Sequence, residues 1–270
     1  MKTLRIEKNE YFNPGRFFLI LKRDLFSNYR TILITIGAIA GFVILASVIS
    51  AFNRGGEEFH MTLYFLLLFI GGFIISGRAF REMHNPQRSF TYITLPGSQL
   101  EKFTGRVMLT SIGYVLGALL IYSAIAAVSE IINQLLFGYT HAFLNPFTRV
   151  FLIGSAAFVV VQSLFLTGAV FFKKNPLIKT VLILTVLAIA ILVIVILSAG
   201  LIFPGLFKGV TPVDHEFHSL QEFTEWLGMN EDILRSAGRA VWLTIKILFW
   251  AVLAPVCWMV SYLKFRKVEV

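Results

Sequence analysis

The residues whose types could most readily support metal-dependent chemistry form the run DHEFH, which lies between the last two long apolar segments. Asp214, His215, Glu216 and His218 are potential metal ligands. Their spacing differs from H-E-x-x-H, which places two histidines on one face of a helix. The run also lies in a polar segment among other acidic residues. We interpret it as a solvated loop and expect no metal site in the chain.

Other catalytic arrangements are equally hard to build from this sequence. Ser76 and Ser155 lie in apolar segments without a His/Asp pair to activate them, so helix packing explains both. Cys257 is the only cysteine, and no G-x-x-x-x-G-K-[ST] motif occurs. We therefore expect no catalytic residue and no cofactor in this chain, and any ATP energy would come from a partner.

The composition is that of a membrane protein. The chain has 270 residues, of which 57% are hydrophobic and 14% charged, and its mean hydropathy is +0.77. These values predict an all-α, polytopic membrane protein with a single transmembrane domain over residues 1–270. Six segments are long enough to cross about 30 Å of hydrocarbon as helices. They lie at about 31–51, 61–76, 103–128, 150–171, 178–202 and 240–263.

The basic residues predict the orientation of these spans. Eighteen of the 24 Lys and Arg residues lie in the N-terminal segment, the second and fourth connections and the C-terminal tail, whereas nine of the fifteen acidic residues lie on the other side. The positive-inside rule then places both termini in the cytoplasm. Because membrane insertion and anionic lipid account for the net charge of +9, we expect no nucleic-acid partner.

Polar residues are sparse in the predicted spans. No Asp or Glu falls within any of them, and Gln162 is the main polar side chain near a span centre. A proton- or sodium-coupled carrier is therefore disfavoured, since such carriers need ionisable groups near the midplane. Gly37-x-x-x-Gly41 and Gly113-x-x-x-Gly117 would allow helices to approach closely, and we expect them to pack within the subunit.

Two further helical segments are predicted outside the spans. Residues 14–30 place apolar side chains on one side of a helix and basic ones on another, which predicts an interfacial elbow helix with Pro14 in its first turn. The external segment 203–239 contains a possible capping box, Ser219 with Glu222, and thus a short external helix before the last span.

The cytoplasmic connection 78–102 is the most informative loop. In "LPGSQLEKF", Pro96-Gly97 forms a turn, after which Ser98 can cap the third span while Glu101 reaches back to the cap. A re-entry turn explains these residues but not the length of the connection, since helix connections usually have about 2–8 residues. A short helix that contacts a partner is the sharper hypothesis.

The stretch "SFTYITLPGSQLEKFTGR" resembles the motif that follows the second span in ABC-2-type ABC transporter permeases. Gly97 departs from that motif, where Val or Ile is usual, and so does Gln99, where Arg or Lys is frequent. The elbow, the six spans and the inward termini also resemble that family. The matching residues are Leu95, Pro96, Ser98, Glu101, Gly105 and Arg106.

This resemblance implies a permease subunit in a bacterial inner membrane, driven by a separate P-loop ATPase that holds ATP and Mg²⁺. It implies a second permease chain, identical or not, and export of substrate. The aliphatic fifth span favours a hydrophobic or lipid-like substrate. The residues expected to couple the permease to the ATPase are Arg78, Arg81, Glu82, Arg88, Phe90, Tyr92 and Glu101.

Other functions fit the same topology. A membrane scaffold or assembly factor would bind a partner without any nucleotide-dependent rearrangement. A passive channel or facilitator would conduct without an ATPase. A membrane enzyme is the least favoured function, because its best remaining site is the run that contains His215 and His218.

Overall fold

The structure is a computed structural model, and it describes residues 12–27, 29–56, 58–84, 97–142, 145–202 and 231–268. These residues form helices and short connections, with no strand among them. The chain divides into two compact units, Met1–Leu177 with Ala254–Val270, and Ile178–Leu253.

Six helices are long and apolar enough to cross a membrane, which confirms the predicted all-α polytopic class. Two more are short: α1 (Pro14–Ser27) precedes the first span, and α4 (Arg81–His84) follows the second. The spans are α2 (Tyr29–Phe52), α3 (Phe59–Arg78), α5 (Gln99–Phe137), α6 (Arg149–Phe171), α7 (Pro176–Ile202), and a sixth made of α8 (Glu231–Ile247), a π-helical turn at Leu248–Leu253 and α9 (Ala254–Val268).

Local signals set the ends of α5. The predicted capping box at its start is confirmed: Ser98 Oγ accepts the Glu101 N–H, and the Glu101 carboxylate accepts the Ser98 N–H. At the other end, Gly138 adopts a left-handed conformation with φ of 62°, which a glycine tolerates without strain. The helix therefore runs nine residues beyond the predicted end of the third span at residue 128.

Aromatic side chains form the core of the first unit. Around the middle of α3, Tyr64 and Leu68 pack with Phe151 and Phe158 of α6, and the Tyr64 and Phe151 rings stack with centroids 5.3 Å apart. Phe158 has no exposed surface. Packing of this kind joins α2, α3, α5 and α6, since lipid-exposed helices gain little from the hydrophobic effect and depend on close contact.

The predicted role of the two glycine pairs is wrong for the described residues. A Cβ atom at Gly37, Gly41 or Gly117 would meet nothing within 4 Å, and one at Gly113 would meet only its own helix. Close approach occurs instead at isolated glycines: a Cβ at Gly72 would overlap the ring of Phe158. A G-x-x-x-G spacing identifies a helix face without large side chains, but the packing of the whole bundle decides whether another helix contacts that face.

In the second unit, most described side chains of α7 are aliphatic and exposed, including Leu182, Val186 and Ile194. An apolar exposed face suits lipid. The predicted external helix with the Ser219 and Glu222 capping box lies outside the described residues. Helix α8, the first part of the sixth span, begins at Glu231, within the predicted external segment.

Replacing Gly72 by alanine tests the contact between α3 and α6. The added methyl group must displace the buried Phe158 ring, so we expect Gly72→Ala to lower the free energy of unfolding by about 1–3 kcal/mol. Denaturation of the purified protein in detergent measures this. Gly117→Ala is the matched control and should stay within about 0.5 kcal/mol of the wild type. Equal effects at both positions would contradict the packing described here.

Candidate functional site

The described residues of the motif lie where α1 packs against the start of α5; they are Ser98, Glu101, Gly105 and Arg106. Phe17 and Ile20 are the buried residues of α1, and a Cβ atom at Gly105 would meet both of them in ordinary van der Waals contact, at 3.7 and 3.9 Å. Phe18 and Leu25, which lie elsewhere on the same helix, are largely exposed. The helix thus presents one apolar face to the bundle and leaves other apolar side chains for the surroundings.

Glu101 joins the two helices through its carboxylate, which has no exposed surface. Its Oε1 accepts the backbone N–H of Asn13 at 2.6 Å and an N–H of the Arg16 guanidinium at 3.1 Å, while Oε2 accepts the N–H of Ser98 at 2.9 Å. A charged acceptor with three donors, one of them cationic, makes strong hydrogen bonds. Glu101 therefore holds the first turns of α1 and α5 together.

A second ion pair lies further along the same contact. Arg106 Nε is 3.1 Å from Asp24 Oδ2, and both side chains are mostly buried. Together with Glu101 and Gly105, Arg106 places three residues of the motif directly against α1. The sequence predicts that the capping box of Ser98 and Glu101 starts the third span, and the structure adds that Glu101 also binds the N-terminal helix.

The structure locates only part of the predicted coupling set. Arg78, at the end of α3, and Arg81, in α4, are exposed, and Glu82 lies in α4. Glu101 is buried against α1, so it offers no surface to a partner. The remaining predicted residues, namely Arg88, Phe90 and Tyr92 of the coupling set and Leu95 and Pro96 of the motif, lie outside the described residues.

The exposed arginines adjoin a well-packed core. Phe80 lies between the two arginines in sequence, and Met83 follows them. Both are buried together with Phe103 of α5 and Phe265 of α9. The ring centroids of Phe80 and Phe103 are 5.8 Å apart. A force applied at Arg78 or Arg81 would therefore reach α3, α5 and α9 through direct side-chain contact.

A buried polar cluster, which the sequence did not predict, lies at the other end of the first unit. Glu130 of α5 is its centre, and the cluster contains Ser47 of α2, His60 at the start of α3, Asn133 of α5 and His141 after α5. All five residues are at most 2% exposed. From Glu101 to Glu130, α5 spans about 44 Å at 1.5 Å per residue, so the two carboxylates lie at opposite ends of this helix.

Donors surround the Glu130 carboxylate. Its Oε1 lies 2.7 Å from His60 Nε2, 3.0 Å from His141 Nδ1, 2.9 Å from Asn133 Nδ2 and 3.1 Å from Ser47 Oγ. Its Oε2 accepts the backbone N–H of His141 at 2.6 Å. A carboxylate can be buried in an apolar helix bundle when hydrogen bonds replace its water in this way.

This cluster places a buried carboxylate in an apolar helix, two residues beyond the predicted end of the third span at residue 128. Glu130 is in α5, about 10 Å before the helix ends at Phe137, and that helix is one of the six apolar ones. The argument against an ion-coupled carrier therefore applies to the predicted spans and not to the whole of α5. Periodicity along one helix does not identify this cluster, because most of the donors come from residues distant in sequence.

A weaker signal was present in the sequence. Ser47 and Ser50 in α2, and Glu130 and Asn133 in α5, are each three residues apart, so each pair shares one helix face. Two apolar helices that each carry a polar pair at this spacing are expected to contact each other through those polar faces. No such signal identifies His141, whose contact depends on the turn that follows Gly138.

Gln162, the polar residue predicted near a span centre, is buried in α6. Its Oε1 accepts a hydrogen bond from Ser111 Oγ of α5 at 2.7 Å. Ser111 lies in the π-helical turn Leu109–Gly113, which widens α5 locally. The pair links α5 to α6 near the middle of α6 and contains no ionisable group.

No protein-family model, no curated protein and no solved structure matches this chain. The fold and the sites described above define a class, an all-α multi-pass membrane protein with a short helix docked before its first span.

Replacing Glu101 by glutamine tests the contact between α1 and α5. The amide cannot accept from all three donors, and leaving buried donors unpaired costs about 1–3 kcal/mol. We expect α1 to open more often and trypsin to cleave after the exposed Lys22 about tenfold faster in the folded protein. Glu58→Gln, at an exposed glutamate before α3, is the control and should leave the cleavage rate unchanged. Equal rates in both variants would contradict the role of Glu101.

Proposed function

We propose that this chain is the transmembrane permease subunit of an ATP-driven transporter of the ABC-2 type, powered by a separate P-loop ATPase. One observation carries the proposal: Glu101, Gly105 and Arg106, three residues of the motif that suggested the family, form a single contact set between α1 and the start of α5. Such a contact links an N-terminal elbow helix to the connection that would contact the ATPase.

The coupling surface in this proposal is the start of the second cytoplasmic connection. Arg78 and Arg81 offer exposed positive charge, while Phe80 and Met83 bind the same short segment to the core. A partner with an acidic surface would be attracted to the arginines, and its movement would be transmitted through the buried side chains. Glu101 takes a positioning role, because its burial leaves it unable to touch the partner.

The ATPase would hold ATP and Mg²⁺, and ATP binding would draw two permease chains together. The exposed apolar side chains of α2 and α7 suit contact with lipid, with a second chain or with a hydrophobic substrate. Export of a hydrophobic or lipid-like molecule across a bacterial inner membrane, with both termini cytoplasmic, is the function that these features favour. This function requires an apolar helix surface for the substrate and an energy source, ATP hydrolysis, in a separate subunit.

Copurification provides the first test. We expect the gently purified, tagged chain to retain a P-loop ATPase, and in liposomes the pair should hydrolyse ATP faster when substrate lipid is present. A scaffold would retain a partner whose contacts do not change with nucleotide, and a passive channel would conduct without any ATPase. Absence of an ATPase from the purified complex and from the adjoining genes would contradict the proposal.

A charge reversal at Arg81 provides a finer test. Arg81→Glu would place negative charge against an acidic partner surface, so we expect coupled ATP hydrolysis to fall about tenfold. The melting temperature should not change, because the side chain is exposed. Lys174→Glu, an exposed cation in the connection between α6 and α7, is the control on the same predicted side. Full coupling in the Arg81 variant would assign these arginines to membrane anchoring alone.

A further inference from the structure

The cluster around Glu130 has the composition of a metal site. Ligand atoms of His60, Glu130 and His141 lie within 4.8 Å of one another, and all three side chains are buried. Two imidazoles and one carboxylate are ligands that Zn²⁺ and similar divalent transition metals prefer, and sites with three such ligands keep a fourth position for water.

The distances are close to those a metal ion requires. Zn²⁺ binds imidazole nitrogen and carboxylate oxygen at about 2.0–2.2 Å, which places tetrahedral ligand atoms about 3.3 Å apart. His60 Nε2 and His141 Nδ1 lie 2.7 and 3.0 Å from the same oxygen of Glu130. A shared ion would need these two nitrogens to move about 0.3–0.6 Å from the oxygen, and it would draw together ligand atoms that all lie within 4.8 Å of one another.

The second nitrogen of each imidazole also has a suitable partner. His60 Nδ1 lies 3.1 Å from Tyr122 Oη, and His141 Nε2 lies 3.0 Å from Ser50 Oγ. Hydroxyl groups rotate and can either donate or accept. Each imidazole can therefore change tautomer, so that the nitrogen facing Glu130 presents a lone pair while the other donates to the hydroxyl. Outer partners of this kind orient metal-binding histidines.

Charge favours a cation at this position. With both imidazoles neutral, the cluster buries one negative charge at the end of an apolar bundle, which is costly without a compensating positive charge. In addition, Asn133 Oδ1 is a buried acceptor beside Glu130 with no hydrogen-bond partner among the described residues. Ser50 is only partly buried, so the cluster lies just beneath the surface at this end.

From this geometry we propose that His60, Glu130 and His141 bind one divalent transition-metal ion of the Zn²⁺ type. The ion ties the start of α3 to the end of α5 and to the segment after it. The site lies at the end of the bundle that the charge distribution predicts to be external. It is independent of the proposed transport function and differs from the sequence-based expectation that the chain holds no metal.

Metal binding by the full-length protein tests this proposal. We would purify the chain in detergent without a polyhistidine tag, strip it with chelator, and equilibrate it with ZnCl₂ or CoCl₂. About one Zn²⁺ per chain should remain after gel filtration, measured by mass spectrometry of the metal. The Co²⁺ form should show the intense visible absorption of a four-coordinate ion with nitrogen and oxygen ligands. A wild-type protein that retains no stoichiometric metal would overturn the proposal and leave a hydrogen-bonded network only.

Variants assign the site to these residues. Glu130→Gln should weaken Zn²⁺ binding more than a hundredfold, and Tyr122→Phe, a milder change that removes only the hydroxyl beside His60, about ten- to a hundredfold. The Tyr122 variant decides the matter if the Glu130 variant fails to fold. His215→Ala combined with His218→Ala is the matched control and should bind as the wild type does. If the double variant loses the metal, or if Tyr122→Phe retains wild-type affinity and the wild-type Co²⁺ spectrum, the assignment is wrong.

Discussion

A buried carboxylate in an apolar helix bundle is stable only where hydrogen-bond donors replace its water, and both ends of α5 meet this requirement. At one end, Glu101 accepts from the backbone and from Arg16; at the other, Glu130 accepts from two histidines, a serine and an asparagine. Each carboxylate gathers residues from several parts of the chain. The positions of α1, α2 and α3 relative to α5 follow largely from these contacts.

Both ends of α5 contain a buried carboxylate that accepts several hydrogen bonds, but the surrounding residues differ. The Glu101 contact joins a short amphipathic helix to the bundle beside exposed arginines, so it suits a region that receives force from a partner. The Glu130 cluster has two imidazoles whose outer nitrogens meet hydroxyl groups, so it suits binding of a cation. Between them, aromatic packing around Phe158 and the Gln162 contact make the core between α3, α5 and α6 continuous.

Much of the architecture could be predicted from single segments. Long apolar runs identify six spans because each must satisfy its own backbone hydrogen bonds as a helix in lipid. The start of α5 could be read from Ser98 and Glu101, because a capping box involves residues only three apart. The helix of the third span continues nine residues beyond the predicted span end at residue 128, because Glu130 is buried among hydrogen-bond donors and does not interrupt the helix. A charged residue in an apolar helix indicates the end of a span only where no other side chain can pair with it. Pairing residues that are distant in sequence cannot be identified from the local pattern.

The sequence by itself determined the class of the protein, the approximate spans and the caps, since hydrophobicity, charge bias and capping act over short stretches of chain. Only the tertiary structure decided which side chains meet. It brought His60, Glu130 and His141 together across as many as 81 positions and turned Glu101 and Arg106 toward α1. It left Gly37, Gly41 and Gly117 without a close neighbour among the described residues. The reason is that helix rotation and pairing depend on the summed packing of all the faces, which no single segment encodes.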